Sequence, residues 1–85
     1  MLSFTYTIKD EMGIHARPAG LLVKKVKELD SKVMICKGEA SAEGTRLMAI
    51  MAMGIKCGDE VSIQIEGGDE EASLAAVKTF FEENL

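Results

Sequence analysis

The sequence predicts an α+β fold of order βαββαβα, with helices laid over one face of a single sheet, and three observations predict it. Apolar and polar residues alternate in short runs near residues 2–8, 32–37 and 61–65, the period of a half-buried strand. They recur at spacings of three and four after residue 19 and again after residue 74, the period of an amphipathic helix. Glycines stand where one period gives way to the next. A chain of 85 residues is expected to make one domain, residues 1–85, and to bury a modest core. With 47% apolar residues, four aromatic rings (three Phe and one Tyr) and six methionines, that core is built of small and aliphatic side chains.

Residues 2–8 place Leu2, Phe4, Tyr6 and Ile8 on one face of a first strand and Ser3, Thr5 and Thr7 on the other. Asp10-Glu11-Met12-Gly13 breaks the alternation, and Gly13 supplies a turn that a side chain would obstruct. Pro18 then fits the first turn of a helix, where its missing N–H has no intrahelical partner. Ala19, Leu22, Val23, Val26 and Leu29 form the apolar stripe of that helix, with Lys24, Lys25, Lys27 and Glu28 opposite. Gly20 and Leu21 lie off the stripe; they are equally readable as a surface that lets a partner approach and as ordinary half-buried positions. Asp30-Ser31 closes the helix, and Lys32 to Lys37 forms a second strand with Val33 and Ile35 inward. Gly38 turns the chain, and Glu39 to Glu43 is short and flanked by acids, as suits an edge strand.

Gly44-Thr45-Arg46 opens a second helical segment carrying Leu47, Met48, Ile50, Met51 and Met53, which Gly54 stops. It is too apolar all round for one buried face. Either it is sandwiched in the core or part of it is a docking patch, for which flexible methionines are suited. Gly58-Asp59 turns into a fourth strand with Val61, Ile63 and Ile65 on one face. After Gly67-Gly68, Asp69 is a good N-cap, Glu70 and Glu71 follow where the helix dipole favours negative charge, and Leu74, Val77 and Phe81, broadened by Ala76 and Phe80, make the stripe of a last helix.

The only histidine and the only proline fall within Gly13-Ile14-His15-Ala16-Arg17-Pro18, which places His15 at a helix start. Free backbone N–H groups and the positive end of the dipole welcome an anion there and disfavour a second cation. Neutral imidazole has a free lone pair and is a nucleophile able to accept a phosphoryl group. The amides of Ala16 and Arg17 are donors within reach of such a group, and the Arg17 guanidinium can meet its oxygens through paired, charge-assisted hydrogen bonds.

Other chemistries find little support. The net charge of −4, with acids crowded in the C-terminal third and few aromatic rings, disfavours nucleic-acid binding. The basic cluster Lys24, Lys25 and Lys27 suits either an acidic protein partner or a solvated helix face. Cys36 and Cys57 lack metal-binding spacing and are expected to be two ordinary thiols; neither a metal nor a cofactor is expected. There is no run of 18 apolar residues and no charged-then-apolar leader, so a cytoplasmic protein that does not insert in the membrane is expected.

Gly-Ile-His-Ala-Arg-Pro-Ala at residues 13–19 closely resembles the active-site signature of the HPr family, histidine phosphocarriers of the bacterial phosphoenolpyruvate-dependent sugar phosphotransferase system. The likeness extends to Leu47-Met48-Ala49-Ile50-Met51-Ala52-Met53-Gly54 and to the order of elements. It implies a βαββαβα open-faced sandwich whose four antiparallel strands run 1-4-2-3 with three helices on one side. It further implies a carrier, not an enzyme, and a monomer, that takes a phosphoryl group from phospho-enzyme I on His15 and passes it to IIA domains of sugar permeases. Arg17 and the Ala16 and Arg17 amides would hold the group; Gly20, Leu21, Lys24, Leu47, Met48 and Met51 would form the docking surface. Other readings are a paralogous carrier of a regulatory or nitrogen-related relay and, from a different class, a small metabolite-binding or RNA-binding domain. Many Gram-positive HPr proteins bear a regulatory serine, phosphorylated by an ATP-dependent kinase, at the cap of the second helix. Counting from His15 to Gly54 puts Arg46 at that position, which implies a carrier without that regulation unless Thr45, a candidate N-cap one residue earlier, serves as a shifted phosphosite.

Overall fold

A computed structural model describes all 85 residues. The elements are β1 (Leu2–Thr7), α1 (Ala16–Lys27), β2 (Lys32–Lys37), β3 (Ala40–Glu43), α2 (Leu47–Ala52), β4 (Glu60–Glu66) and α3 (Glu70–Asn84). The four strands form one antiparallel sheet in the order β1-β4-β2-β3. Leu2 pairs with Ile65 and Phe4 with Ile63 on one side of β4, while Val33 pairs with Ile65 and Ile35 with Ile63 on the other. That register puts every inward apolar residue of the three strands on the same face.

The three helices cover that face. Ala19, Leu22 and Val26 of α1, Ile50 of α2, and Val77, Phe80 and Phe81 of α3 join Val33, Ile35, Val61, Ile63 and Ile65 in one buried cluster. Phe81 lies at its centre, with the rings of Phe4, Tyr6 and Phe80 meeting it edge-on at centroid distances of 6.1, 5.5 and 6.4 Å. Edge-to-face pairs of this kind match the positive ring edge to the negative face. On the other face of the sheet Ser3, Thr5 and Thr7 are exposed.

Boundaries differ from the sequence reading by one residue in places. Ile8 leaves the ladder yet stays buried, because its N–H donates to the Asp59 carbonyl instead of a strand partner. The edge strand starts at Ala40, since Gly38 at φ +58° and Glu39 form the turn. At α2 the expectation of Thr45 as N-cap fails. The N-cap is Arg46, extended at φ −114° and ψ 96°, and no side chain caps the helix. Its charge is offset by Glu43, whose carboxylate lies 3.5 Å from the guanidinium. Lys37 closes the opposite end of this region by donating to the Gly54 carbonyl at 3.3 Å and pairing with Asp59 at 2.8 Å. The Lys37 ammonium, with the Lys56 amide, holds the Asp59 carboxyl below the usual carboxylate range.

The one buried polar pair is Ser31 and Ser73. The Ser31 hydroxyl lies 2.6 Å from the Gly67 carbonyl, to which it donates, and 2.7 Å from the Ser73 hydroxyl, whose proton it accepts. It thereby ties the turn between α1 and β2 to the start of α3, where Asp69 accepts from the Ala72 amide at 3.2 Å. Ser31→Ala removes both partners at once and is expected to destabilise the fold by about 1–3 kcal/mol. In a double-mutant cycle by urea unfolding, Ser31→Ala with Ser73→Ala costs less than the sum of the single changes; strict additivity would show that the pair does not couple.

Candidate functional site

The loop from β1 to α1 is tied down from three directions. Ile8 exchanges backbone bonds with the turn before β4, its N–H reaching Asp59 at 2.9 Å and its carbonyl accepting from Gly58 at 2.8 Å. The amides of Lys9 and Asp10 both donate to the main-chain oxygen of Leu85, at 2.6 and 2.9 Å. Ile14 donates to the Ile55 carbonyl at 3.1 Å, and beside it Gly13 adopts φ +67°. A side chain on Gly13 would run into the Ile55 carbonyl and come within 2.7 Å of the Lys56 Cα, so only glycine lets these two backbones approach.

His15 emerges from this loop as the N-cap of α1, with φ −105° and ψ −177°. Its carbonyl accepts the first helical bond, from Ala19 at 3.0 Å, while its side chain caps nothing. The amides of Ala16 and Arg17 therefore have no helical partner, Pro18 has no N–H, and no acid stands in the first turn to offset the dipole. The imidazole is one-third exposed, and its Nε2 lies 3.9 Å from Oδ2 of Asp10. Arg17 is exposed and pairs with no carboxylate. Asp10, His15, Arg17, Pro18, Leu21 and Asn84 line an open cavity of about 250 Å³. His15 and Arg17 thus share one cavity at the start of a helix whose Ala16 and Arg17 amides have no helical partner, an arrangement whose chemistry suits an anion.

Of the docking candidates, Leu21 lines this cavity and, with Lys24, an adjoining one. Leu21, Leu47, Met48 and Met51 are exposed, Met48 at 75% of its surface, whereas Ile50 between them is fully buried. The segment 47–53 is therefore both of the things its composition allowed: one side is core and the other faces solvent. Gly20 is half-buried with open space where a side chain would stand. Arg46 and Thr45 sit at the start of α2, where Thr45 makes no side-chain hydrogen bond. Two residues of the cavity, Asp10 and Asn84, lie outside the motif at residues 13–19. Asp10 could have been noticed as an acid five residues before the histidine; Asn84, brought in by α3, gives no local signal.

Cys36 is half-buried and Cys57 exposed, both as free thiols, and no group of three or more His, Cys, Asp or Glu residues is arranged to hold a metal. No helix is long and apolar enough to cross a membrane.

Residues 2–83 match the family model described as PTS HPr component phosphorylation site. The phosphocarrier protein HPr of Treponema pallidum (strain Nichols) is 35% identical over 82 residues, which are 96% of this chain and 93% of that one. HPr of Mycoplasma capricolum is 37% identical over 78 residues, covering 92% and 88%. The solved structure of a Mycoplasma histidine-containing phosphocarrier protein superposes with a TM-score of 0.92 at 34% identity, covering 96% of this chain and 93% of that one. A sheet of order 1-4-2-3 under three helices, a histidine at an open helix start and this likeness along nearly the whole length lead to one conclusion: the chain belongs to the HPr family and is a phosphocarrier of the phosphotransferase system.

Proposed function

We propose that this protein, acting as a single domain over residues 1–85, takes its phosphoryl group from phospho-enzyme I on His15 and delivers it to IIA domains of sugar permeases. The observation that carries the reading is the uncapped start of α1, where the sole histidine stands beside two free amides and an unpaired arginine. A ring nitrogen attacks phosphorus with its lone pair; the bond from phosphorus to the donor breaks, and its electron pair leaves with the donor. The Ala16 and Arg17 amides and the Arg17 guanidinium receive the charge of the phosphoryl oxygens. Onward transfer reverses these steps with the acceptor as nucleophile.

Incubation with enzyme I and phosphoenolpyruvate is expected to add one phosphoryl mass to the intact protein, lost on acid treatment as a phosphoramidate is. His15→Ala should take none while keeping its far-UV circular dichroism, and equal labelling of that variant would refute the assignment.

Leu47, Met48 and Met51, with Gly20, Leu21 and Lys24, form the surface that meets the partners. This reading is supported by the exposure of Leu47, Met48 and Met51 on α2 and of Leu21 and Lys24 on α1, with open space beside the half-buried Gly20. Replacing Met48 by Glu places a charge on that patch and should slow transfer about fivefold or more at low protein concentration, the scale of losing about 1 kcal/mol of docking energy. Thermal stability should hardly move, because the side chain is exposed. A large drop in Tm with normal transfer by the folded fraction would assign Met48 to the core instead.

Arg46 at the cap of α2 offers no hydroxyl, and the carrier is accordingly free of serine-kinase control at that position. With an HPr kinase and ATP, wild type should gain no phosphate and Arg46→Ser should gain one. A stoichiometric phosphate on wild type that disappears in Thr45→Val would place regulation at Thr45.

A further inference from the structure

The side chain facing the phospho-acceptor across the cavity is an acid, and the loop leaves it little freedom. The Asp10 amide donates to the main-chain oxygen of Leu85 at 2.9 Å, and its carbonyl accepts from Gly13 at 2.9 Å. Its Oδ1 accepts from the Met12 amide at 2.9 Å, an Asx turn that sets the plane of the carboxylate. The one oxygen left over, Oδ2, points to Nε2 of His15 at 3.9 Å, with both side chains about one-third exposed (30% and 33%). No other carboxylate lies within ion-pair distance of the imidazole.

We propose that Asp10 is the positioning residue of His15: its carboxylate keeps the proton of the neutral ring on Nε2, so that Nδ1 presents the lone pair that attacks phosphorus. The inference rests on the reading of His15 as phospho-acceptor and adds the group that prepares its ring. A lone pair on Nε2 would face the negative Oδ2 and be repelled, whereas an N–H there is attracted. The separation exceeds that of a formed hydrogen bond, and such pairs commonly tighten when the reacting complex assembles. During transfer the Nδ1 lone pair becomes the N–P bond, the bond from phosphorus to the donor breaks with its electron pair going to the donor, and the Nε2 proton stays. The ring becomes cationic, and the charge develops opposite the Asp10 carboxylate.

The test uses the whole protein and two substitutions. Asp10→Asn keeps an Oδ1 acceptor for Met12 but puts an NH₂ donor where Oδ2 stood, so Nε2 must accept and the proton moves to Nδ1. Nitrogen-15 NMR of the neutral His15 ring is expected to show the Nε2–H tautomer in wild type and the Nδ1–H tautomer in Asp10→Asn. Phosphoryl acceptance from enzyme I should fall at least about tenfold in that variant, as expected of a histidine held in the wrong tautomer. Asp10→Ser, which can still close the turn but cannot reach the ring, should give an intermediate tautomer ratio and an intermediate rate. Loosening of the loop alone would lower Tm without inverting the tautomer. An unchanged tautomer ratio in Asp10→Asn, or inversion with an unchanged rate, overturns the proposal. If wild type accepts no phosphoryl group, it is the carrier reading that fails, and the NMR comparison still decides whether Asp10 sets the tautomer.

Discussion

The close passage of Gly13 over Ile55 decides where His15 stands. Two irregular segments, one leading into α1 and the other out of α2, meet backbone to backbone there, joined by the bond from the Ile14 amide to the Ile55 carbonyl. Without it the loop before α1 would be held by the bonds to Leu85, to the turn at Gly58 and Asp59, and from the Cys57 thiol to the Lys9 carbonyl. Ile14 and Ile55 are both buried beside this contact, so apolar packing and a backbone hydrogen bond fix the same point. From that point the chain enters α1 with His15 extended and its ring one-third exposed.

What suits the start of α1 to an anion is as much what it lacks as what it holds. A side-chain cap at His15 or an acid in the first turn would stabilise α1, and α3 has both in Asp69, Glu70 and Glu71. The start of α1 has neither, so its free donors remain available to an incoming anion. The cost of an uncapped helix, about 0.5–2 kcal/mol, is offset by the burial of Ala19, Leu22 and Val26 directly behind the site. Burial also accounts for the short α2. Six helical residues without a side-chain cap would not persist alone, but Ile50 is inserted in the core and anchors them. Its neighbours Met48 and Met51 are then held outward on a rigid turn.

The distribution of charge follows the same division. Lys24, Lys25 and Lys27 lie in the last turn of α1, where they complement the negative end of its dipole and leave the negative charge of the chain concentrated elsewhere. The Arg46 guanidinium at the start of α2 is unfavourable toward that helix and is met by Glu43 from the edge strand. Such exposed pairs add little stability. Glu43 offsets a cation rather than building a stabilising network.

Strand and helix periods, the turns at Gly38 and Gly58, the cap at Asp69 and the position of His15 before Pro18 were legible in the chain, because each depends on residues close in sequence. The site signature at residues 13–19 was legible for the same reason: the donor amides, the arginine and the histidine all belong to one helix start. The strand order 1-4-2-3 came only through likeness to a family, since alternation shows which face of a strand is buried and not which strand lies beside it. Which half of Leu47 to Met53 is core and which is surface was likewise settled only when α2 docked through Ile50. Ser31 with Ser73, and the Leu85 oxygen with Lys9 and Asp10, join residues tens of positions apart and leave no local pattern. Asp10 belongs to the same class. It stands five residues before the histidine in the chain, but only the folded loop, with its Asx turn and its tie to the end of α3, turns its free oxygen toward the ring.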